Sequence, residues 1–134
     1  TLENLLTEAK DLFRENYKDY KIMHMLINKY TLDGESYLNF TSDLKTDHIC
    51  LDINFICIPN RLSSEINQIL EKYHIQINRF LDSKYINNLF LDKEIEPAEK
   101  FYMVLSGHNE NEVNIVLKNP NKIGFFEKFF QLFS

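Results

Sequence analysis

The sequence predicts an α+β domain with a small, mostly antiparallel sheet and packed helices. Segments with apolar residues at helical spacing are mixed with segments in which apolar and polar residues alternate, in the order α β β α β α α β α. The 134 residues are enough for one compact domain. A content of 44% hydrophobic and 26% charged residues is ordinary for a soluble globular protein.

The first half of the chain predicts one helix and two strands. Residues 2–14 carry apolar side chains at helical spacing. Residues 20–32 are rich in strand-forming types, and Asp33-Gly34 supplies a turn after them. We expect residues 35–40 to form a polar connection. Residues 48–58 then alternate most clearly and predict the strongest strand.

A second helix is expected directly after this strand. Pro59 ends the strand, and Asn60 or Ser63 could cap a helix that runs to about residue 73. The apolar residues of this helix share one side and are expected to face inward: Leu62, Ile66, Ile69, Leu70 and Tyr73.

The remaining pattern completes a single domain over residues 1–118. Residues 75–80 alternate and predict another strand. Two short helices are expected over 83–90 and 97–105, the second with proline near its first position. Residues 113–117 predict a last strand.

Composition excludes several classes of function. A net charge of −5 disfavours sequence-independent binding to nucleic-acid phosphates, so no nucleic acid is expected as a partner. Only three glycines are present, which argues against a glycine-rich cofactor loop. Cys50 and Cys57 lie seven residues apart on one strand and point to opposite faces, so they cannot easily pair. Free thiols are typical of a reducing, cytoplasmic compartment.

Candidate catalytic groups are few. His48, Cys50 and Asp52 share one strand face, and these residue types could ligate zinc. No second cluster supplies a further ligand, so we interpret them as a half-polar sheet face; a small enzyme using them is the alternative that a bound metal would support. Cys57 and the Ser106-Gly107-His108 turn lack a recognisable catalytic frame. The sequence therefore predicts a non-enzymatic protein with no catalytic, cofactor-binding or metal site.

The C-terminal segment is the strongest candidate contact surface. Residues 119–134 predict a hinge, Asn119-Pro120-Asn121, and an amphipathic helix. Five of the eleven phenylalanines lie in this helix. Its apolar residues cover an arc of roughly 160° and are the predicted membrane or partner contacts: Phe125, Phe126, Phe129, Phe130, Leu132 and Phe133. Spanning a bilayer needs about 20 apolar residues, so this helix could lie on a membrane but not cross it.

One segment resembles a known family. The run Ile22-Met23-His24-Met25-Leu26-Ile27-Asn28-Lys29-Tyr30-Thr31-Leu32-Asp33-Gly34 is similar to the His-x-x-Pro-x-x-Tyr-x-hydrophobic-Asp-Gly segment of the bacterial cell-division protein FtsA, with Ile27 where that family usually has proline. A helix precedes the segment, and a strand, a helix and a strand are predicted after it, as in FtsA. The resemblance covers residues 1–90.

The resemblance implies an interaction subdomain of the strand-helix-strand-strand type, without the actin-like nucleotide core of FtsA. ATP binding and filament formation through that core are therefore not implied. The phenylalanine-rich tail also resembles the membrane-targeting helix of FtsA.

We therefore expect a cytoplasmic adaptor, peripheral on the inner face of the cell membrane. It would dock a cell-division or envelope protein through its sheet edge or small helices, while the tail holds it at the membrane. The alternative is a soluble interaction module, which could be a homodimer, whose tail packs into its own core or that of a second copy.

Overall fold

A computed structural model describes residues 2–39, 48–91 and 94–113 of the protein. These residues form four helices and four strands. In chain order they are α1 (Leu2–Asn16), β1 (Tyr20–Leu32), β2 (Glu35–Tyr37), β3 (Ile49–Pro59), α2 (Asn60–Glu71), α3 (Ser83–Leu89), α4 (Pro97–Leu105) and β4 (Glu112–Val113).

The strands form one small sheet around β1. Its order is β2-β1-β3, and β4 also pairs with β1. β2 and β4 are antiparallel to β1, with Tyr30 opposite Tyr37 and Met25 opposite Val113. The predicted α+β class with a small antiparallel sheet is confirmed.

The chain divides into two compact units. Of the described residues, unit 1 comprises 2–17, 25–39, 48–54 and 111–113, and unit 2 comprises 18–24, 55–91 and 94–110. Among the described residues, the buried apolar side chains of unit 1 are Leu6, Met25, Ile27, Tyr30, Leu32 and Val113. Those of unit 2 are Ile58, Tyr85, Ile86, Phe90 and Val104.

The predicted Asp-Gly turn joins β1 to a strand that the sequence did not indicate. Asp33 and Gly34 have φ angles of 50° and 89°, which is the backbone of a two-residue hairpin turn with both central residues left-handed. Residues 35–37 continue from this turn as β2, so the connection predicted over 35–40 is wrong for these three residues. Their side chains are mostly exposed, which is why polar residues are tolerated in this strand.

The strand predicted over residues 75–80 does not form. The backbone N–H of Ile75 donates to the carbonyl of Leu70, and that of His74 donates to Glu71, at 3.0 Å each. With His74 at a φ of 59°, these two bonds form a Schellman motif that ends α2. The N–H of Ile75 is therefore used to close the helix and cannot begin a strand ladder.

The buried hydroxyl of Tyr30, in unit 1, predicts that the free energy of unfolding depends on pH. It donates to Asn111 Oδ1 over 3.3 Å, and burial raises the pKa of Tyr30. A tyrosine whose folded-state pKa is raised contributes stability below its unfolded pKa of about 10, and this contribution declines as pH rises further. Tyr30→Phe should cost about 0.5–1.5 kcal/mol at pH 7–9, and the difference from the unmodified protein should shrink by pH 11.

Chemical unfolding at several pH values measures this difference. Lys10 does not affect this comparison. Burial, and after it the charge of Arg14, lowers the pKa of Lys10, so its effect on stability changes with pH in the opposite direction. Because this effect is present in both proteins, it cancels in the difference between them. A difference between the two proteins that stays constant from pH 9 to pH 11 would contradict the assignment.

Candidate interaction surface

Helix α2 is fixed at both ends by hydrogen bonds within unit 2. At its start, Pro59 is the N-cap and makes no side-chain cap bond, so the capping predicted for Asn60 or Ser63 is wrong. Asn60 instead binds the turn before β1: its backbone N–H donates to Asp19 and its side-chain amide donates to Lys18, at 2.8 Å each. The Schellman motif fixes the other end.

Three large apolar side chains, two on α2 and one just past its end, are exposed to solvent. Leu62, Ile69 and Tyr73 have exposed fractions of 45%, 57% and 71%. With the helical spacing of 100° per residue continued to Tyr73, they lie within about 40° of one another, and the distance from Leu62 to Tyr73 along the helix axis is about 17 Å. We refer to Leu62, Ile69 and Tyr73 as the α2 strip.

The buried side of α2 is rotated away from this strip. Ser63 is the one buried residue of the helix, and Ile66 and Leu70 are half-buried. Measured from Leu62, Ser63 lies about 100° around the helix and Leu70 about 80°. The prediction that all five apolar residues face inward is therefore wrong for the α2 strip, because the apolar arc is wider than the buried face.

Charged residues border the strip on its solvent side. Arg61 Nε lies 3.1 Å from Glu65 Oε1, and the side chains are 90% and 55% exposed. Such an exposed pair contributes little to stability. Lys72, which is also exposed, lies on the same flank at about −80° from Leu62. An apolar centre with a charged rim is the usual composition of a protein-binding surface.

An open groove of about 570 Å³ lies at the C-terminal end of α2. It is lined by Asn67, Glu71, His74, Ile75, Gln76 and Ile77. The side chain of Ile75 is 51% exposed, so apolar surface continues past the end of the helix.

A buried polar cluster in unit 2 is a second feature that sequence reasoning missed. The imidazole of His24 is fully buried, and its Nε2 accepts the backbone N–H of Asp82 over 2.9 Å. The ring of Tyr85 lies 4.4 Å from the imidazole. Asp82 Oδ2 accepts the N–H of Tyr85 over 2.9 Å and so caps α3, while Asn109 donates to the Tyr85 hydroxyl over 3.1 Å.

The contacts in this cluster are structural, because they hold the start of α3. Because Nε2 is an acceptor, the neutral imidazole carries its proton on Nδ1. His24 thereby supplies a partner for the N–H of Asp82 at the start of α3. One sequence signal was present: Asp82 stands directly before Ser83 and the helical spacing that follows, which is typical of an N-cap.

The candidate chemical residues occupy ordinary structural positions. His48, Cys50 and Asp52 are exposed and alternate with half-buried residues along or beside β3, as the half-polar face requires. No group of three or more potential metal ligands occurs in residues 2–39, 48–91 and 94–113. Ser106 and Gly107 lie at the end of α4, with Gly107 at a φ of 86°.

The two cysteines are free, as expected, and their environments predict different reactivity. Cys50 is exposed, whereas Cys57 is half-buried and burial raises its pKa. Because the thiolate is the reactive form, Cys50 should react with an aromatic disulfide reagent at pH 8 about tenfold faster than Cys57, or more. Rates measured on Cys57→Ser and Cys50→Ser variants isolate the two thiols, and equal rates would contradict these environments.

The predicted tail contacts, Phe125, Phe126, Phe129, Phe130, Leu132 and Phe133, lie outside the described residues, as does the hinge before them. Within the part of the chain that is described, no helix has the length and apolarity needed to cross a membrane. A comparison of the chain with protein-family models, curated proteins and solved structures found no match.

Proposed function

We propose that this protein is a non-enzymatic interaction domain that binds a protein partner through the α2 strip. The observation that carries the proposal is the alignment of three large exposed apolar side chains along α2 and the turn that ends it. Single exposed apolar residues are normal on a protein surface. An aligned set with a charged border is typical of a contact surface.

The energetics favour a protein partner over solvent. Full burial of one Leu or Ile side chain is worth about 1.5–3 kcal/mol. The backbone that carries the strip is already ordered, since hydrogen bonds fix both ends of α2, and a preorganised backbone lowers the cost of ordering on binding. The geometry fits an amphipathic helix of the partner, laid beside α2 over a length of about 17 Å.

The environments of the reactive side chains support a non-enzymatic protein. The ring of His24 is fully buried, and its Nε2 accepts a hydrogen bond from the backbone N–H of Asp82. Burial raises the pKa of Cys57, which lowers its thiolate fraction. The environments of His24 and Cys57 are therefore explained by hydrogen bonding and burial.

Site-specific photo-crosslinking tests the proposal. A benzophenone amino acid at position 69 should crosslink to the apolar face of a helix in a protein partner when the chain is expressed in its own cells. The control is the same amino acid at position 64, an exposed serine about 160° around the helix from Leu62. Mass spectrometry maps the crosslinked residue. Absence of a crosslink specific to position 69 would overturn the proposal.

In its fuller form, the proposal makes this chain a cytoplasmic adaptor, peripheral on the inner face of the membrane. The similarity of residues 22–34 to the FtsA segment supports a cell-division partner, and the amphipathic pattern of residues 122–134 supports membrane contact. One feature counts against the likeness to FtsA: the third element of its strand-helix-strand order, expected at 75–80, is not a strand.

Vesicle co-sedimentation tests the membrane contact. The full chain should sediment with vesicles of phosphatidylethanolamine and phosphatidylglycerol, and deletion of residues 122–134 should abolish this binding. Glu127→Gln, on the polar side of the predicted helix, is the matched control and should retain it. If the full chain binds no vesicles and the deletion lowers the free energy of unfolding by several kcal/mol, the tail packs on protein and the membrane contact is wrong.

A further inference from the structure

We infer that the occupant of the α2 strip is the same helix of a second copy, in an antiparallel homodimer. This inference rests on the proposed function and names the partner. Its basis is that α2 is complementary to itself, in both its apolar residues and its charges, when two copies run in opposite directions.

The apolar residues match under a two-fold axis at the middle of the helix. The axis lies between residues 67 and 68, so Leu62 of one copy faces Tyr73 of the other. Ile66 likewise faces Ile69. At each end of the contact the smaller Leu62 therefore lies opposite the larger Tyr73. Each copy contributes the same surface, as a two-fold interface requires.

The charges select the antiparallel direction. Glu65 and Lys72 lie on the same flank of the strip, at about −60° and −80° from Leu62. In an antiparallel pair the same flanks face each other, and Glu65 of one copy comes within two residues, or about 3 Å along the axis, of Lys72 of the other. In a parallel pair opposite flanks would face each other, and Glu65 and Lys72 would then face the uncharged flank of the partner helix, so the ion pairs form only in the antiparallel direction. That flank carries Ser63, Ile66 and Leu70.

The ion pair within α2 is compatible with this arrangement. Glu65 accepts from Arg61 over 3.1 Å in the same helix. Its carboxylate has a second oxygen and further lone pairs, so it can accept from Lys72 of the second copy at the same time. The two-fold axis makes two such contacts in each dimer.

Sedimentation equilibrium of charge-exchange variants tests the homodimer. The unmodified chain should show a monomer–dimer equilibrium. Glu65→Lys and Lys72→Glu should each weaken dimerisation about tenfold, because two opposite-charge contacts become like-charge contacts. The double variant Glu65→Lys/Lys72→Glu should restore the dissociation constant to within about threefold, since opposite charges again face each other.

Two further variants test the apolar contact. Ile69→Glu should give a monomer, and Ser64→Glu, on the other side of α2, should remain dimeric. All substituted residues are exposed, so circular dichroism should show unchanged folding. A monomeric unmodified chain, a dimeric Ile69→Glu variant or a double variant as weak as the single ones would overturn the homodimer.

The oligomeric state and the crosslink at position 69 together distinguish a failure of the homodimer from a failure of the proposed function. If the chain is monomeric and position 69 crosslinks to a different protein, the homodimer is wrong and the interaction function stands. If position 69 crosslinks to nothing, both are wrong. A crosslink between position 69 and α2 of a second copy supports both.

Discussion

Replacing His24 with alanine should lower the free energy of unfolding by about 2–4 kcal/mol. The substitution removes the acceptor for the backbone N–H of Asp82, a part-buried donor that would then lack this partner. It also leaves a void beside the ring of Tyr85, which now lies 4.4 Å from the imidazole. Urea unfolding followed by circular dichroism measures the change.

His48 provides the matched control for this prediction. It is also a histidine, but its side chain is exposed, so His48→Ala should change stability by less than about 0.5 kcal/mol. A second comparison is Asp82→Ala, which removes the helix cap but keeps the backbone donor and should cost about 0.5–2 kcal/mol. If His24→Ala costs no more than His48→Ala, His24 does not hold α3 as described.

Alanine substitution at two isoleucines of unit 2 should give opposite results. Ile86 in α3 is fully buried, and Ile86→Ala should cost about 2–5 kcal/mol through lost burial and a cavity. Ile69 in α2 is 57% exposed, so Ile69→Ala should change stability by less than about 1 kcal/mol, partly because alanine favours a helix. Thermal and urea unfolding at low protein concentration measure both without contributions from association.

The comparison separates a buried isoleucine from an exposed one. If Ile69→Ala costs as much as Ile86→Ala in the monomer, the chain itself covers the α2 strip. The strip would then be part of the core, as the inward face expected from the sequence would have it, and the proposed interaction surface would be wrong.

The long, strongly patterned elements could be predicted from the sequence. The alternation in β1 and β3 and the Pro97 start of α4 placed these elements within about two residues of their bounds. The Asp33-Gly34 turn was also correct, because its two left-handed residues are a local requirement. In each case the determining signal lies within a few neighbouring residues.

The errors arise where distant residues decide the outcome. The alternation at 75–80 indicates a strand only if another strand is there to pair with it, and the Schellman motif uses the N–H of Ile75 instead. The pattern of α2 shows which side is apolar but not how much of that side is covered. The bond between His24 and Asp82 joins residues 58 positions apart, and no local pattern can reveal it.

The residues proposed as the contact surface differ from those that the sequence indicated. Docking through a small helix was among the expectations, yet the residues chosen from the sequence were those of the tail. The α2 strip was assigned to the core because a helix with one apolar side usually packs that side inward. Its exposed fractions of 45–71% became visible only in the folded protein.

The central claim is that the α2 strip is free to bind a protein, and methyl NMR with a soluble paramagnetic probe tests it most directly. The probe accelerates the relaxation of methyl groups that it can approach. In a dilute solution of the full chain, we expect strong relaxation of the Ile69 methyl groups and little of those of Ile86, with Ile69 becoming protected when a partner binds. Equal protection of Ile69 and Ile86 in the dilute full chain would contradict the claim.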